Sequence, residues 1–338
     1  MHKKFYSIEF LRVWFLILII IGHSKMQSAV VETFGNNALS TMGSRVNIFM
    51  LICGFFLFLS LQKQTNFWDK FKHRTWRILP VLCLYKILAT IFIYPQLLPF
   101  SLSNLFMLNQ NIGIMTPTIT HIIWYVDVMF WVYLLYSALF SFYERQKAIF
   151  STCILTLLSL TILFTNNNIN LHFEPAYAFL DGGILRGIAF IGMGILLAAL
   201  PNRKIYISKT IAIFATIIEI ISLIMAISYP MFINYMNSGV SFNHVLWVAL
   251  FVFLMTREYG WFSKKLNNCS WIYPLSKNCY EIYVFQLFAI MAAEKWLSPN
   301  QHPWLSILGM LFFAILLGKA VYLFYSRPIE KLHSKLPD

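Results

Sequence analysis

The sequence of 338 residues has little charge, because Asp, Glu, Lys and Arg make up only 12% of it. A typical soluble domain contains about 25% of these residues. The five cysteines are odd in number, scattered and without metal-ligand spacing, so they indicate neither a disulfide framework nor a metal site. The low charge and the cysteine pattern exclude a water-soluble enzyme, a disordered chain and a secreted disulfide-rich domain.

The sequence contains long apolar runs. Hydrophobic residues make up 59% of the chain, and the mean hydropathy is +0.67. A transmembrane helix uses about 20 mostly apolar residues, and such runs lie roughly at 9–27, 46–62, 78–96, 121–142, 149–165, 183–200, 210–229, 240–256, 273–293 and 303–325. The sequence therefore predicts an all-α polytopic membrane protein with about ten transmembrane helices, folded as a single domain over residues 1–338.

The distribution of Lys and Arg between the loops predicts the orientation. Basic residues cluster at 63–77, 203–209, 257–277 and 327–335, whereas 97–120, 166–182 and 230–239 contain none. Because basic loops stay in the cytoplasm, both termini are predicted to be cytoplasmic, in a multi-pass protein of the cell (inner) membrane. The net charge of +13 comes mainly from these loops, so it predicts contact with the anionic surface of the lipid bilayer and not with nucleic acid.

Ionisable residues inside apolar runs are costly in a bilayer, so each is a functional candidate. In the first run, Glu9 and Arg12 are three residues apart and can pair on one helical face. Arg12 and His23 are eleven residues apart, which places them on the same face about 16.5 Å apart along the axis. This register predicts a polar cavity with Arg12 near its cytoplasmic mouth and His23 deeper. A boundary anchor for Arg12 and an interhelical hydrogen bond for His23 are the alternative interpretations.

Other charged residues allow both functional and structural interpretations. Arg74 and Arg77 are three apart before the third run, and paired guanidinium groups suit phosphate. Composition alone favours the other interpretation, positive-inside topology, which needs no ligand. Asp127 and Arg186 lie within predicted spans, where buried pairing is the structural alternative. For Glu219 we expect a structural role.

The same residues form a recurring pattern along the chain. The pattern comprises E-F-L-R-x10-H at Glu9, Arg12 and His23, R-x-x-R at Arg74 and Arg77, Trp124-Tyr125-Val126, Arg186 before a glycine-containing run, and S-x-x-x-Y-x-I-Y from Ser276 to Tyr283. In these motifs the chain resembles the integral-membrane acyltransferase-3 family, bacterial O-acyltransferases that modify cell-surface carbohydrates. The resemblance covers nearly the whole chain, and its specific part is R-x10-H with R-x-x-R. Gln286 stands where the family usually has a histidine.

The resemblance implies transfer of an acyl group, usually acetyl, from cytoplasmic acyl-CoA to a hydroxyl of a cell-surface or lipid-linked carbohydrate. Acetyl-CoA would be the donor substrate, and neither a bound cofactor nor a metal is expected. The implied catalytic residues are His23, as general base or acyl carrier, with Arg12 and Glu9. The implied acyl-CoA ligands are Arg74, Arg77 and Arg12, and the candidates for the acceptor or oxyanion site are Trp124, Asp127, Arg186, Tyr283 and Gln286.

Two other functions are compatible with buried charges in a helical membrane protein. One is a transporter or flippase that moves a glycolipid or a small solute without acyl chemistry; the sequence shows no inverted repeat in its support. The other is an inactive relative that binds carbohydrate, for which Gln286 is the motive. Acetyl-CoA hydrolysis by the purified protein would distinguish the acyltransferase from both.

Overall fold

Helices account for most of the residues that the computed structural model describes, which are 5–24, 33, 45–61, 66–93, 124–165, 175–177, 180–200, 208–229, 238–297 and 301–333. The longer ones are α1 (Tyr6–Gly22), α2 (Arg45–Leu61), α3 (Phe67–Phe92), α4 (Trp124–Phe142), α5 (Arg145–Thr165), α6 (Gly182–Ala199), α7 (Lys209–Ser228), α8 (Ser238–Arg257), α11 (Cys279–Trp296) and α12 (Pro303–Val321). Each of them overlaps one of the predicted apolar runs.

Shorter elements connect these helices. They are α9 (Trp261–Leu266), a 3-10 turn (Ser270–Ile272), α10 (Tyr273–Ser276), a π-helical turn (Tyr322–Ser326) and α13 (Arg327–His333). Two short strands, β1 (Pro175–Tyr177) and β2 (Leu180–Asp181), pair antiparallel just before α6. The chain is otherwise helical in the described ranges, in agreement with the predicted all-α class.

Six helical segments in the described ranges are long and apolar enough to cross a membrane: α3 to α7 and the stretch Pro303–Leu332, which contains α12. Two further apolar helices, α2 and the part of α8 from Phe242 to Arg257, are shorter. The chain is therefore a multi-pass helical membrane protein, while the count of ten spans and the side on which the termini lie stay predictions.

Helix α7 shows which surface faces lipid. Its buried positions carry Ala, Ser or Glu side chains, whereas its outward positions are large and apolar; Phe214 is 62% exposed and Ile211 is 56% exposed. Helix α5 has the same arrangement, with buried Thr152 and Thr156 and an exposed Phe150. Small and polar residues inside and large apolar residues outside are typical of helices that pack against each other within a bilayer.

Close backbone contact joins α2 to α6. A Cβ atom added to Gly54 would overlap the backbone of Ile191, and one added to Gly194 would overlap the carbonyl oxygen of Leu51. Only glycine allows two helix backbones to approach this closely. The contact fixes α2, which carries several residues of the site described below, against the centre of the bundle.

Helix α3 begins well before the apolar run that predicts it. Asn66 caps its first turn by accepting a hydrogen bond from the backbone N–H of Trp68 at 3.1 Å, and the helix continues through Pro80. Proline normally ends or kinks a helix because it lacks an N–H donor. Near Pro80 two carbonyl oxygens accept from other helices: Ile78 from the Tyr280 hydroxyl at 2.7 Å and Pro80 from the Tyr325 hydroxyl at 3.3 Å.

Candidate active site

A cavity of about 270 Å³ lies between α1, α2, α3, α4 and α11. It occupies the end of the bundle at which α1 begins and α2 ends. The side chains that line it are polar at this end and aromatic further in: Glu9, Arg12, Phe49, Cys53, Phe56, Leu57, Ser60, Arg74, Arg77, Ile78, Tyr125, Met129, Tyr133, Cys279, Tyr280 and Tyr283. The cavity therefore brings together Glu9, Arg12, Arg74, Arg77 and Tyr283, which come from three separate helices and were all singled out from the sequence.

The charges of the cavity are unequal. Its described lining contains three guanidinium groups, from Arg12, Arg74 and Arg77, and one carboxylate, from Glu9. The Glu9 carboxylate pairs with Arg12, with 2.8 Å between Oε2 and Nη1, as their spacing predicts. Three positive charges and one negative charge leave the lining with an excess of two positive charges. Since a cation in a membrane needs an anionic or polar partner, the cavity is suited to a ligand with at least two negative charges.

Arg74 and Arg77 differ in their surroundings. The Arg74 guanidinium donates to the Ser60 hydroxyl at 2.6 Å and lies over the Tyr133 ring, 4.8 Å from its centroid. These contacts hold the group in one orientation. Arg77 is exposed, and within the described part of the chain it has neither a hydrogen bond nor an ion pair. Arg74 thus presents a fixed guanidinium, while Arg77 retains its full set of donors for a ligand at the cavity mouth.

Aromatic rings form the inner wall of the cavity. Phe49 contacts Tyr125 edge to face at 5.7 Å between centroids, Tyr125 contacts Tyr283 in the same way at 5.6 Å, and Phe49 stacks on Tyr283 at 6.3 Å. Beside this aromatic wall the Cys53 sulfur lies 2.9 Å from the Tyr125 hydroxyl, which in turn donates to the Met129 sulfur at 3.2 Å. The wall of Phe49, Tyr125 and Tyr283 separates the basic end of the cavity from the opposite end of the bundle.

His23 is not where the sequence pattern predicts it. Helix α1 ends at Gly22, and His23 caps it as an exposed residue whose backbone N–H donates to the Ile19 carbonyl at 3.1 Å. The prediction that His23 is buried and lines one cavity with Arg12 is wrong, because the helix ends several residues before its apolar run does. Eleven residues still place His23 about 16.5 Å from Arg12 along the axis, beyond the aromatic wall. Its catalytic role stays a prediction.

A second polar cluster lies on the far side of the aromatic wall, toward the start of α2. The buried Arg186 donates from Nε to the Asn47 side-chain oxygen at 2.8 Å, and its guanidinium carbon is 4.9 Å from the centroid of Trp124. Arg186 and Trp124, predicted independently from α6 and α4, are therefore in contact. Neither lines the 270 Å³ cavity.

Asp127 and Gln286 have opposite surroundings. Asp127 forms an ion pair with Lys86, 3.3 Å between Oδ1 and Nζ, and both side chains are almost completely buried. Gln286 is also fully buried, but neither atom of its amide has a hydrogen-bond partner among the described residues. It lies on α11 one turn beyond Tyr283. A buried amide without hydrogen-bond partners is costly. Gln286 is therefore a stronger candidate for contact with a substrate than Asp127, which already has Lys86 as its partner.

Several residues of the site escaped the sequence patterns. Ser60, Tyr133 and Cys53 line the cavity, yet uncharged residues in apolar runs give no signal of function. Asn47 had a detectable signal, since an amide at the start of an apolar run is as unusual as a charge. The charged residues of the cavity could thus be identified from the sequence, whereas its uncharged lining residues became evident only in the structure.

The apolar helices define the chain as a multi-pass membrane protein, and its described part contains a cavity lined by three arginines and one glutamate. A family model described as an acyltransferase domain, that of the acyltransferase-3 family, matches residues 5–323. The chain belongs to this family, and it is a membrane acyltransferase. A search of curated proteins and a search of solved structures gave no match.

Proposed function

We propose that the protein is an O-acyltransferase that moves an acyl group, with acetyl as the first donor to test, from cytoplasmic acyl-CoA to a hydroxyl of a cell-surface or lipid-linked carbohydrate. The observation that carries the proposal is the cavity in which Arg12, Arg74 and Arg77 meet with a single carboxylate. Coenzyme A carries several phosphate charges, and its thioester supplies the acyl group that this family transfers.

The donor would bind with its phosphates at the basic end of the cavity. Arg77, which keeps its donors available, would bind phosphate first, and Arg74 would bind it from the orientation that Ser60 and Tyr133 fix. Guanidinium groups bind phosphate with paired, charge-assisted hydrogen bonds. Arg12, held by Glu9, would contact the pantetheine arm as it extends toward the aromatic wall.

The transfer step would use His23 on the other side of that wall. As a general base, His23 takes the proton of the acceptor hydroxyl while its oxygen attacks the thioester carbonyl; the C–S bond breaks, and the CoA thiolate leaves and is protonated. In the second form of the step, His23 itself accepts the acyl group and passes it to the hydroxyl. Either form requires Phe49, Tyr125 and Tyr283 to separate so that the thioester at the end of the pantetheine arm passes between them and reaches His23.

The acceptor would bind in the half of the bundle that contains Gln286, Trp124 and Arg186. The unpartnered Gln286 amide suits a sugar hydroxyl, because it offers both a donor and an acceptor. Arg186 or Trp124 would stabilise the oxyanion of the tetrahedral intermediate, since both carry N–H donors.

The donor site is tested by the affinity for acetyl-CoA. We expect Arg77→Gln to weaken binding by about 1–3 kcal/mol, which is about a fivefold to 150-fold loss of affinity, because one charge-assisted contact disappears. Arg74→Gln should weaken it at least as much. Lys72→Gln is the matched control, because it removes an exposed charge two residues away on α3 that does not line the cavity. Equal affinities in all variants, measured by calorimetry on purified protein, would return both arginines to a topological role.

The transfer step is tested with His23→Ala. The variant should reach the membrane at normal levels and bind acetyl-CoA normally, because His23 lies outside the donor cavity, yet it should lose acyl transfer to surface glycans detected by mass spectrometry. Normal transfer would exclude His23 from the mechanism. Lipid or solute movement without any acyl transfer by the unaltered protein would favour the flippase alternative.

A further inference from the structure

A second cavity lies at the same end of the bundle and shares no residue with the first. It has a volume of about 220 Å³ and lies where five helix termini meet: those of α1, α2, α5, α6 and α8. Most of its wall is apolar, from residues such as Phe55, Leu59 and Leu200. Two guanidinium groups, those of Arg145 and Arg257, complete the lining, and no carboxylate of the described residues contributes to it.

Neither arginine of this second cavity is neutralised within the described part of the chain. Glu144, the acid next to Arg145, pairs instead with Lys147 at 3.3 Å. Arg145 lies over the Phe58 ring at 5.4 Å. Arg257 lies over Phe253 at 4.9 Å and donates one hydrogen bond, at 3.0 Å, to the Leu200 carbonyl. A guanidinium has five N–H donors, so Arg257 keeps most of them, and the pair carries two positive charges beside an apolar wall.

We propose that this second cavity binds the headgroup of an anionic phospholipid, with the phosphate between Arg145 and Arg257 and the start of an acyl chain against the apolar wall. A lipid fits better than a free anion for two reasons. Leu200, which lines the cavity, is 47% exposed, so the cavity reaches the outer surface of the bundle. Helix α5, which begins at Arg145, continues as a lipid-facing surface with Phe150 67% exposed and Leu157 58% exposed.

The position of the second cavity agrees with the prediction that this end of the bundle faces the cytoplasm. The ends of α2, α6 and α8 that adjoin predicted cytoplasmic loops contribute to this cavity, and anionic lipids attract basic groups at the cytoplasmic leaflet. The lipid would then fix the ends of α5, α6 and α8 relative to one another, since each contributes to the cavity wall. This role is independent of the acyl-CoA site, with which the second cavity shares no residue.

The test is lipid binding measured by native mass spectrometry on detergent-purified protein without acyl-CoA. The unaltered protein should bind phosphatidylglycerol in preference to phosphatidylcholine, which has a phosphate but no net charge. Arg145→Gln should weaken phosphatidylglycerol binding about fivefold, and the double variant with Arg257→Gln about 25-fold, because each arginine contributes a similar attraction. Lys209→Gln, an exposed charge at the start of α7 that does not line the cavity, is the control and should bind normally.

Arg145 is the decisive position, because it is exposed and its side chain lies over Phe58 without a hydrogen bond or ion pair to the described residues, so its replacement should leave the fold intact. Thermal unfolding of each variant checks this. Unchanged phosphatidylglycerol preference in a folded Arg145→Gln protein would overturn the proposal. Displacement of the lipid by millimolar inorganic phosphate, with no preference between lipids, would also overturn it and identify a site for free anions.

Discussion

The ion pair between Asp127 and Lys86 allows a sharp test of which polar residues are structural. The two side chains are 3% and 1% exposed, and the pair links α4 to α3. Asp127→Asn would leave the Lys86 ammonium buried without the carboxylate that compensates it. Removing one partner of a buried pair costs about 3–5 kcal/mol, and we expect a loss of this size in the free energy of unfolding.

The exposed pair of Lys147 and Glu144 is a matched control for burial. Its nitrogen–oxygen distance is 3.3 Å, equal to that of the buried pair, but its side chains are 67% and 77% exposed. Exposed pairs contribute about 0–1 kcal/mol, so Glu144→Gln should have little effect. The difference between the two losses isolates the contribution of burial.

The assay is unfolding in mixed micelles with increasing SDS, followed by tryptophan fluorescence, together with acyl transfer at a temperature where each variant is folded. A double variant, Lys86→Met with Asp127→Leu, should recover most of the stability, because apolar residues replace a buried ion pair at little cost. Full stability with lost transfer in Asp127→Asn would refute the structural interpretation and return Asp127 to the acceptor site.

Two further predictions concern the stability of the helix bundle and its orientation in the membrane. Glu219→Gln should lower the free energy of unfolding by about 2–3 kcal/mol in the same SDS titration, because hydrogen bonds to a charged group are strong. The buried Glu219 carboxylate accepts hydrogen bonds from the backbone N–H groups of Gly260 and Ser263 and from the Ser263 hydroxyl, at 2.7–2.9 Å. A change below 1 kcal/mol would contradict this prediction. The second prediction tests sidedness with single cysteines at Asn109 and Asn202, which both lie outside the described residues. On intact cells an impermeant maleimide should label the cysteine at Asn109 and not the one at Asn202, because the segment around Asn109 lacks Lys and Arg. The reverse result would place Arg74 and Arg77 on the side of the membrane away from acyl-CoA.

The helical part of the fold was predictable, because apolar runs of span length have few alternatives in a bilayer. The apolar runs do not show where a helix begins or ends. Helix α3 starts eleven residues before its run, at the Asn66 cap, and α1 ends before its run does. Hydropathy marks the part of a helix in lipid, whereas capping and backbone hydrogen bonds determine its ends.

The site was predictable as far as charge could reveal it. Glu9 and Arg12 were identified from their cost in a membrane and Arg74 and Arg77 from their spacing, and all four line one cavity. Which polar residues pair between different helices was not predictable. Asp127 and Lys86, 41 positions apart, meet only because α3 and α4 are antiparallel neighbours, and Arg186 meets Asn47 across 139 positions. Such pairs depend on helix packing, which apolar runs leave undetermined.

The aromatic wall lies between two groups of polar residues in the bundle. The basic cavity lies on one side of Phe49, Tyr125 and Tyr283, and the cluster of Asn47, Trp124 and Arg186 lies on the other. In the proposed reaction the acyl thioester, at the end of the pantetheine arm, would pass between these rings to reach His23 and the acceptor. Because the acyl group and the pantetheine arm carry no charge, they are the part of acyl-CoA that an opening between aromatic rings can admit while the phosphates stay with the arginines.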